Sequence, residues 1–176
     1  MNFVVHHCIC IRIGGIIEVM RRPRWPAVAP PTTGGHRVHG PLLLSAEDHL
    51  TLELFEIVAF PDGLQLRMAL TATGRPAELA QYETRSLSDP DDPSTRWSYL
   101  SVRARVDDIE GEADPYHPAA ASKPCGSGPP EYRTEPHYWL DAIPASGFIS
   151  VTAGWPRIGL GSTTTTIGLE SSTRTS

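Results

Sequence analysis

The chain has 176 residues, with 15 basic and 20 acidic side chains and a formal charge of −5, a size that fits one domain. Its 17 prolines and 15 glycines break the apolar pattern into short pieces, which favours an all-β or loop-rich fold over a helical one. No apolar run approaches the ~20 residues needed to cross a bilayer, so we predict no membrane association.

Residues 1–40 form a distinct N-terminal region. Residues 1–19 are apolar and rich in β-branched side chains, and a change of character at Met20 allows the alternative that translation starts there. Residues 20–41 are rich in proline and glycine without periodicity, as in a linker or arm. We therefore predict a disordered extension and arm over residues 1–40, a domain over residues 41–170 and a frayed tail over residues 171–176.

Charge is divided unevenly along the chain. Residues 1–40 carry five arginines and one glutamate, whereas the remaining residues carry ten basic and 19 acidic side chains. An acidic body argues against a nucleic-acid platform, which normally presents a basic stripe. The alternative is an accessory nucleic-acid protein that uses the arginines of 21–24, although so few charges give only weak, salt-sensitive binding.

The clearest structural signal is a β-hairpin over residues 49–72. Apolar side chains occupy every second position in its second half, at Leu64, Leu66, Met68, Leu70 and Ala72. Because successive side chains on a strand point to opposite faces, this spacing predicts one buried face and one solvent-exposed face. Pro61-Asp62-Gly63 predicts the turn, with Gly63 in the left-handed conformation.

The first strand of this hairpin contains one irregularity. The alternation of Leu50, Leu52 and Leu54 would place Glu56 inward if it continued. We predict a β-bulge near Phe55-Glu56 that re-aims the strand, the alternative being a strand buried on both faces from there on. The bulge is therefore the first place to look for an exposed edge or site.

The rest of the chain supplies further short strands. Residues 77–82 fit a short helix or an edge strand, and the alternation from Trp97 to Val106 predicts a third strong strand. We predict a long loop over residues 107–131, a second hairpin joining 138–143 to 148–153, and a last strand over 163–169. Strands at this spacing predict an antiparallel β-sandwich, immunoglobulin-like or related, with about six to eight strands.

Three stretches carry a family resemblance: Leu50–Leu66 with its Phe-Pro-Asp-Gly turn, Leu100–Asp108, and Tyr138–Pro156 with its Gly-Trp-Pro ending. Over about residues 45–160 the chain resembles a group of actinobacterial proteins that combine a Phe/Tyr-Pro-x-Gly hairpin with a C-terminal Trp-Pro motif. It departs from the group at residues 107–131 and in the threonine run 163–166. The resemblance implies a small β-sandwich; the group has no known activity and so supplies no catalytic residue.

The acidic stretch 107–114 is the main candidate for metal chemistry. Acidic side chains stand at alternate positions, with Gly111 available for a turn, and calcium prefers several oxygen ligands at such spacings: Asp108, Glu110, Glu112 and Asp114. The candidate metal ligands are Asp108, Glu110 and Asp114. The stretch lacks the full order of an EF-hand, so a solvated acidic loop is the competing interpretation. A metal-dependent or hydrolytic enzyme that uses this stretch is the corresponding alternative function.

Aromatic side chains are the candidates for a binding surface. Tyr138, Trp139 and Trp155 lie on or beside predicted strands, and aromatic side chains suit binding faces as well as sandwich cores. Because Trp139 shares a face with Asp141, we predict that it is the exposed one.

Together these features predict a non-catalytic interaction or structural module with no cofactor and no catalytic residue. Ser146, His117, His137 and Asp141 have side chains found in hydrolases, but no Gly-x-Ser-x-Gly motif is present. Three cysteines, two of them two residues apart, do not make a disulfide framework, so we predict a cytoplasmic location. The sequence is compatible with a protein partner, but it identifies neither that partner nor the oligomeric state.

Overall fold

The computed structural model describes residues 24–86, 100–122 and 129–170, with the backbone alone for residues 85–86 and 117–122. In chain order the elements are β1 (Arg24–Trp25), β2 (His36–His39), β3 (Leu42–Glu47), β4 (Leu50–Phe60), β5 (Gly63–Thr73), α1 (Gly74–Ser86), β6 (Ser101–Val106), β7 (Ile109–Ala113), β8 (His117–Ser122), β9 (Glu131–Leu140), β10 (Phe148–Trp155) and β11 (Leu160–Gly168). A 3₁₀ turn over Pro156–Ile158 separates the last two strands.

The strands form two sheets, which confirms the prediction of a predominantly β protein. One sheet has five strands in the order β1-β7-β6-β10-β11. The other has six, in the order β2-β4-β5-β9-β8, with β3 also paired to β4. All pairs are antiparallel except β1 with β7. The described residues hold eleven strands, more than the six to eight expected, because short strands occur in segments that looked irregular in sequence.

The predicted hairpin is β4 and β5, and it supplies the centre of the six-stranded sheet. Its register runs from Leu50 opposite Ala72 to Phe60 opposite Gly63. The alternating apolar residues of β5 are at most 1 % exposed, as predicted from their spacing. The pairing shifts by one residue between Leu54 and Glu56, which confirms the predicted bulge.

Gly63 is needed for a different reason from the one predicted. It does not adopt a positive φ, unlike Gly34, Gly40, Gly74, Gly147 and Gly159. Instead, a Cβ at this position would collide with the carbonyl oxygen of Leu140 and lie 2.6 Å from the Trp139 ring. The glycine therefore permits close approach of β9 rather than a left-handed turn.

One hydrophobic core joins both sheets. Leu52, Leu66 and Tyr138 enter it from the six-stranded sheet, and Val102 and Val151 enter it from the five-stranded sheet. The side chains of β6 alternate between exposed and buried along the strand, as its sequence predicts. This shared core makes the described residues a two-layer sandwich.

Three segments differ from their predictions. Residues 24–40, assigned to a disordered arm, contain β1 and β2, and Trp25 is 5 % exposed with its indole N–H donating to the Ala104 carbonyl at 3.0 Å. The predicted loop 107–131 contains β7 and β8. The sequence does not predict β7 as a strand because β7 buries only Gly111 and Ala113. These side chains are too small to give an apolar alternation.

The predicted hairpin over 138–153 is also wrong. β9 ends at Leu140 in the six-stranded sheet, whereas β10 begins at Phe148 in the five-stranded sheet. The intervening residues therefore cross from one layer to the other. The last predicted strand is present as β11, which pairs with β10. Residues 1–23, including both proposed start sites, and the tail 171–176 lie outside the described residues.

The helix α1 closes one end of the sandwich, and we call this the closed end. It contacts β5, β9 and the 3₁₀ turn, and it buries Ala77 and Ala80 completely. Within the residues that the structure describes, no helix is long and apolar enough to cross a membrane.

Candidate functional site

A cleft of about 530 Å³ opens at the other end of the sandwich, the open end. This volume falls within the range of small-molecule sites. It is bounded by β2, the turn between β4 and β5, the crossing between β9 and β10, and the residues after β11. The residues that line it are Gly34, His36, Val38, Ala59, Phe60, Pro61, Leu64, Ile143, Pro144, Gly147, Leu169 and Glu170.

The rim of the cleft ties the two sheets together through backbone hydrogen bonds. The N–H of Glu170 donates to the carbonyl of Val38 at 2.9 Å, and the N–H of Leu169 donates to the carbonyl of Gly147 at 2.9 Å. Gly147 has a φ of +73°, a conformation that glycine adopts at little cost. The chain after β11 thus crosses towards β2 and forms one side of the opening.

One carboxylate holds two backbone N–H groups of residues 143–147, which we call the lip. Asp107 accepts the backbone N–H of Ala145 at 2.7 Å and that of Ser146 at 3.2 Å. Hydrogen bonds from the Ser146 side chain and from these two amides lower the pKa of Asp107 below its usual value. Asp107 has a φ of 49°, in the left-handed region that aspartate tolerates better than most residues.

The walls of the cleft are mainly apolar. Among the twelve lining residues only His36 and Glu170 have polar side chains, and both are exposed. Ile143 is 51 % exposed on the lip, so an apolar group entering the cleft would cover it. As far as the structure describes it, this lining contains no Ser, Thr, Cys or Lys side chain that could act as a nucleophile.

A second arrangement, the bulge cluster, surrounds the predicted bulge on the outer face of the six-stranded sheet. Arg67 donates from Nη1 to Glu56 at 2.5 Å and from Nε to His137 Nε2 at 3.3 Å. Phe55, the extra residue of the bulge, is 50 % exposed and lies 6.0 Å from the Arg67 guanidinium. The bulge therefore re-aims Glu56 towards Arg67, as one extra residue in a strand is expected to do.

The bulge cluster continues towards the loop before β8. Tyr116 packs edge-on against His137, and Gln65 donates to the Tyr116 hydroxyl. Partial burial raises the pKa of Tyr116 above its usual value. The adjoining hollow measures about 70 Å³, enough for a few water molecules. The opposite charges of Arg67 and Glu56 compensate each other here, so the cluster suits structural support of the sheet better than ligand capture.

The three aromatic candidates lie in the core rather than on a surface. Trp139, predicted to be exposed, is 4 % exposed because it packs edge-on against Phe60 and over Gly63. Trp155 is 2 % exposed, and its indole N–H donates to Glu83 of α1 at 3.1 Å. Their proposed role in binding stays a prediction without an exposed face to support it.

Tyr138 is fully buried between the sheets. Burial raises the pKa of its hydroxyl far above the usual value. The hydroxyl has no hydrogen-bond partner among the described residues. Tyr138 is therefore a core residue with an unsatisfied polar atom, which does not face the cleft lining.

The acidic candidates are separated along the β6–β7 hairpin and the residue that follows it. Glu110 lies 3.5 Å from Arg103, and Asp114 pairs with Arg24 at 2.7 Å. Burial raises the pKa of Asp114 and the Arg24 charge opposes that rise. Within the described ranges no three His, Cys, Asp or Glu side chains could hold a metal ion. The calcium hypothesis for Asp108, Glu110 and Asp114 stays a prediction that this arrangement does not support.

The hydrolase-type side chains are likewise distributed. His137 belongs to the bulge cluster, Ser146 belongs to the lip, and Asp141 follows β9 on the crossing between the sheets. Arg24, the described part of the arginine arm, bonds Glu112 at 3.0 Å as well as Asp114. Its charge is therefore largely compensated.

Sequence reasoning missed the cleft because four separate segments supply its lining. One signal was available: Ile143 and Pro144 follow the apolar end of β9 without continuing its alternation. No protein-family model, curated protein or solved structure matches the chain. The resemblance to the actinobacterial group stays a prediction.

Proposed function

We propose that this protein is a non-catalytic binding module that takes a small molecule into the cleft at its open end. The ligand class is an apolar, ring-sized body with a cationic or hydrogen-bond-donating end. The single observation that carries the proposal is the apolar cleft itself, left open where α1 closes the opposite end of the same sandwich.

The polar end of the ligand follows from the charge at the mouth. Glu170 is exposed at the rim and contributes a carboxylate, while the described lining has no Lys or Arg. An anionic ligand would therefore meet repulsion, and a cation would gain about 1 kcal/mol or somewhat more at a solvent-exposed separation. His36 supplies a second polar group that can donate or accept.

The finer features of the proposal rest on sequence. The cysteine pattern supports a cytoplasmic location, and the strand spacing supports an immunoglobulin-like or related connection of the two sheets. A small ligand in place of a protein partner is supported by the volume and the apolar lining of the cleft, which match small-molecule sites.

The test uses three probes of the same ring: 1-naphthylmethylamine, 1-methylnaphthalene and 1-naphthoate, followed by ligand-observed NMR and calorimetry. We expect the amine to bind about 30-fold more tightly than the carboxylate, because attraction of the one and repulsion of the other each contribute about 1 kcal/mol. Glu170→Gln should remove that preference while leaving the neutral probe unaffected.

The apolar wall is tested with a matched pair. Ile143 on the lip and Ile109 on β7 are 51 % and 53 % exposed, and only Ile143 lines the cleft. Ile143→Asn should weaken binding of all three probes, whereas Ile109→Asn should not. Absence of binding by every probe, or equal binding by both variants, would contradict the proposal.

A further inference from the structure

The four sheet edges in the described part of the protein differ in how they are protected. A free edge presents unpaired backbone N–H and C=O groups, which natural sheets protect with short strands, proline, charge or bulges. β1 has two residues, β8 contains Pro118, and the β2–β3 edge has shifts in its pairing with β4. These three edges each carry such a device.

β11 carries one of them, a shift in its pairing with β10 between Ala153 and Trp155, and this shift is confined to its first residues. It has nine residues, Leu160–Gly168, without a charged residue or a proline. Its register with β10 is regular from Thr163 to Gly168, and it is the last strand of its sheet. Ser162, Thr163, Thr164 and Thr166 are exposed. The six residues Thr163–Gly168 therefore form a regular, uncharged edge, and such an edge is a template for a further strand.

The outer face beside this edge already shows how hydroxyl side chains pair across strands. Thr152 and Thr164 share a hydrogen bond of 2.8 Å, and Ser150 and Thr166 share one of 3.2 Å. Cross-strand Thr–Thr and Thr–Ser pairs of this type stabilise antiparallel sheets. The hydroxyl row ends at β11, where its next partner would come from outside the molecule.

We propose that a second copy of the chain occupies this edge, with β11 pairing antiparallel to its own copy about a two-fold axis at Thr164. Residues opposite each other in an antiparallel pair share a face, so Thr164 would meet Thr164 and Thr163 would meet Thr165. The two five-stranded sheets become one continuous sheet.

The sequence of the strand favours a copy of itself over another partner. Ser162–Thr166 is self-complementary about its centre, with a hydroxyl residue at all five positions, so no like charges oppose each other. Recognition of a different peptide would need pockets or charges for its side chains, which this strand does not provide. A two-fold pairing also closes on itself, so it gives a dimer rather than a filament.

The test measures mass by sedimentation velocity over about 5–500 µM, a range suited to a small interface. The monomer has a mass of 19.2 kDa, and we expect a species of twice that mass to grow with concentration. Thr164→Lys places two lysines opposite each other and should weaken dimerisation at least about tenfold.

The matched control is Thr152→Lys on β10. It adds the same charge to the same face and removes the same Thr152–Thr164 hydrogen bond, but it does not lie on the edge. This variant should dimerise like the unmodified protein, and circular dichroism of both variants shows whether each is folded.

Mixing two charge variants tests the register. Thr164→Lys and Thr164→Glu should each be monomeric alone and form a mixed dimer together, because the axis places Lys opposite Glu. A protein that stays monomeric throughout the concentration range, a folded Thr164→Lys variant that dimerises normally, or larger assemblies in place of dimers would overturn the inference.

Discussion

The two ends of the sandwich enclose the same core in opposite ways. At the closed end Tyr132 and Trp155 pack edge-on with ring centres 6.0 Å apart, and α1 covers them, with Thr84 donating to the Tyr132 hydroxyl. At the open end, the segments beyond the strands place Pro61, Pro144 and Gly147 beside Ile143 and Leu169, and a cleft remains between them. The difference shows that the segments beyond the strands, not the strands themselves, decide whether this core is sealed.

The largest expected effect is the loss of unfolding free energy when either of two leucines of β5 is truncated. Leu64 and Leu66 are both 0 % exposed, but only Leu64 lines the cleft. Leu66→Ala should cost about 4 kcal/mol of unfolding free energy and Leu64→Ala about 2–3 kcal/mol, because the cavity left by Leu64 merges with existing open space. Urea unfolding measures both. Equal losses would mean that the open end is packed as tightly as the middle of the core.

A smaller effect is expected from the glycine beside the cleft. Gly63→Ala should cost about 2–3 kcal/mol, since its Cβ would meet the rigid backbone of Leu140. Gly161→Ala is the control within β11, where nothing lies within 4 Å of the added methyl group, and should stay within about 0.5–1 kcal/mol of the unmodified protein. Thermal unfolding compares the two, and a neutral Gly63→Ala would show that β9 can move away from the hairpin.

The smallest effect concerns the lip and depends on pH. The pKa of Asp107 is lowered in the folded protein, so its carboxylate stabilises the fold above the unfolded pKa and this contribution is lost as pH falls through the folded value. The melting temperature should therefore drop less steeply below about pH 4 in Asp107→Asn than in the unmodified protein.

The control for this prediction is Asp108→Asn, which removes the same charge one residue along the turn. Asparagine tolerates the left-handed backbone at residue 107, so the comparison tests the carboxylate rather than the turn. Identical pH profiles for Asp107→Asn and the unmodified protein would mean that the hydrogen bonds between Asp107 and the lip do not contribute to stability at low pH.

Sequence predicted the features that depend on neighbouring residues. The alternation of β5 and the phase break at Glu56 are local, and both the buried face and the bulge are present. The burial of Trp139 depends on Phe60 and Gly63, almost 80 residues earlier in the chain. The alternation of the residues around Trp139 does not record these contacts and therefore predicted, wrongly, that Trp139 is exposed.

The candidate site was harder to predict because it belongs to no single segment. Val38, Phe60, Ile143 and Leu169 meet only after the chain crosses between the sheets. The local pattern around Pro144 suggested a hairpin because proline and glycine mark turns equally well within a sheet and between two sheets. Partner choice among strands is decided by non-local burial, which periodicity does not record.

The hydrogen bonds from the lip to Asp107 have a further consequence for the backbone amides of Ala145 and Ser146. Both residues are exposed, and amides in exposed loops normally exchange their hydrogens with solvent quickly. Here a carboxylate from another strand pair holds both amides, so their exchange rates report on the moments when the lip separates from the β6–β7 turn. If these two amides exchange slowly in a loop whose other amides exchange fast, their exchange rates measure how often the cleft opens.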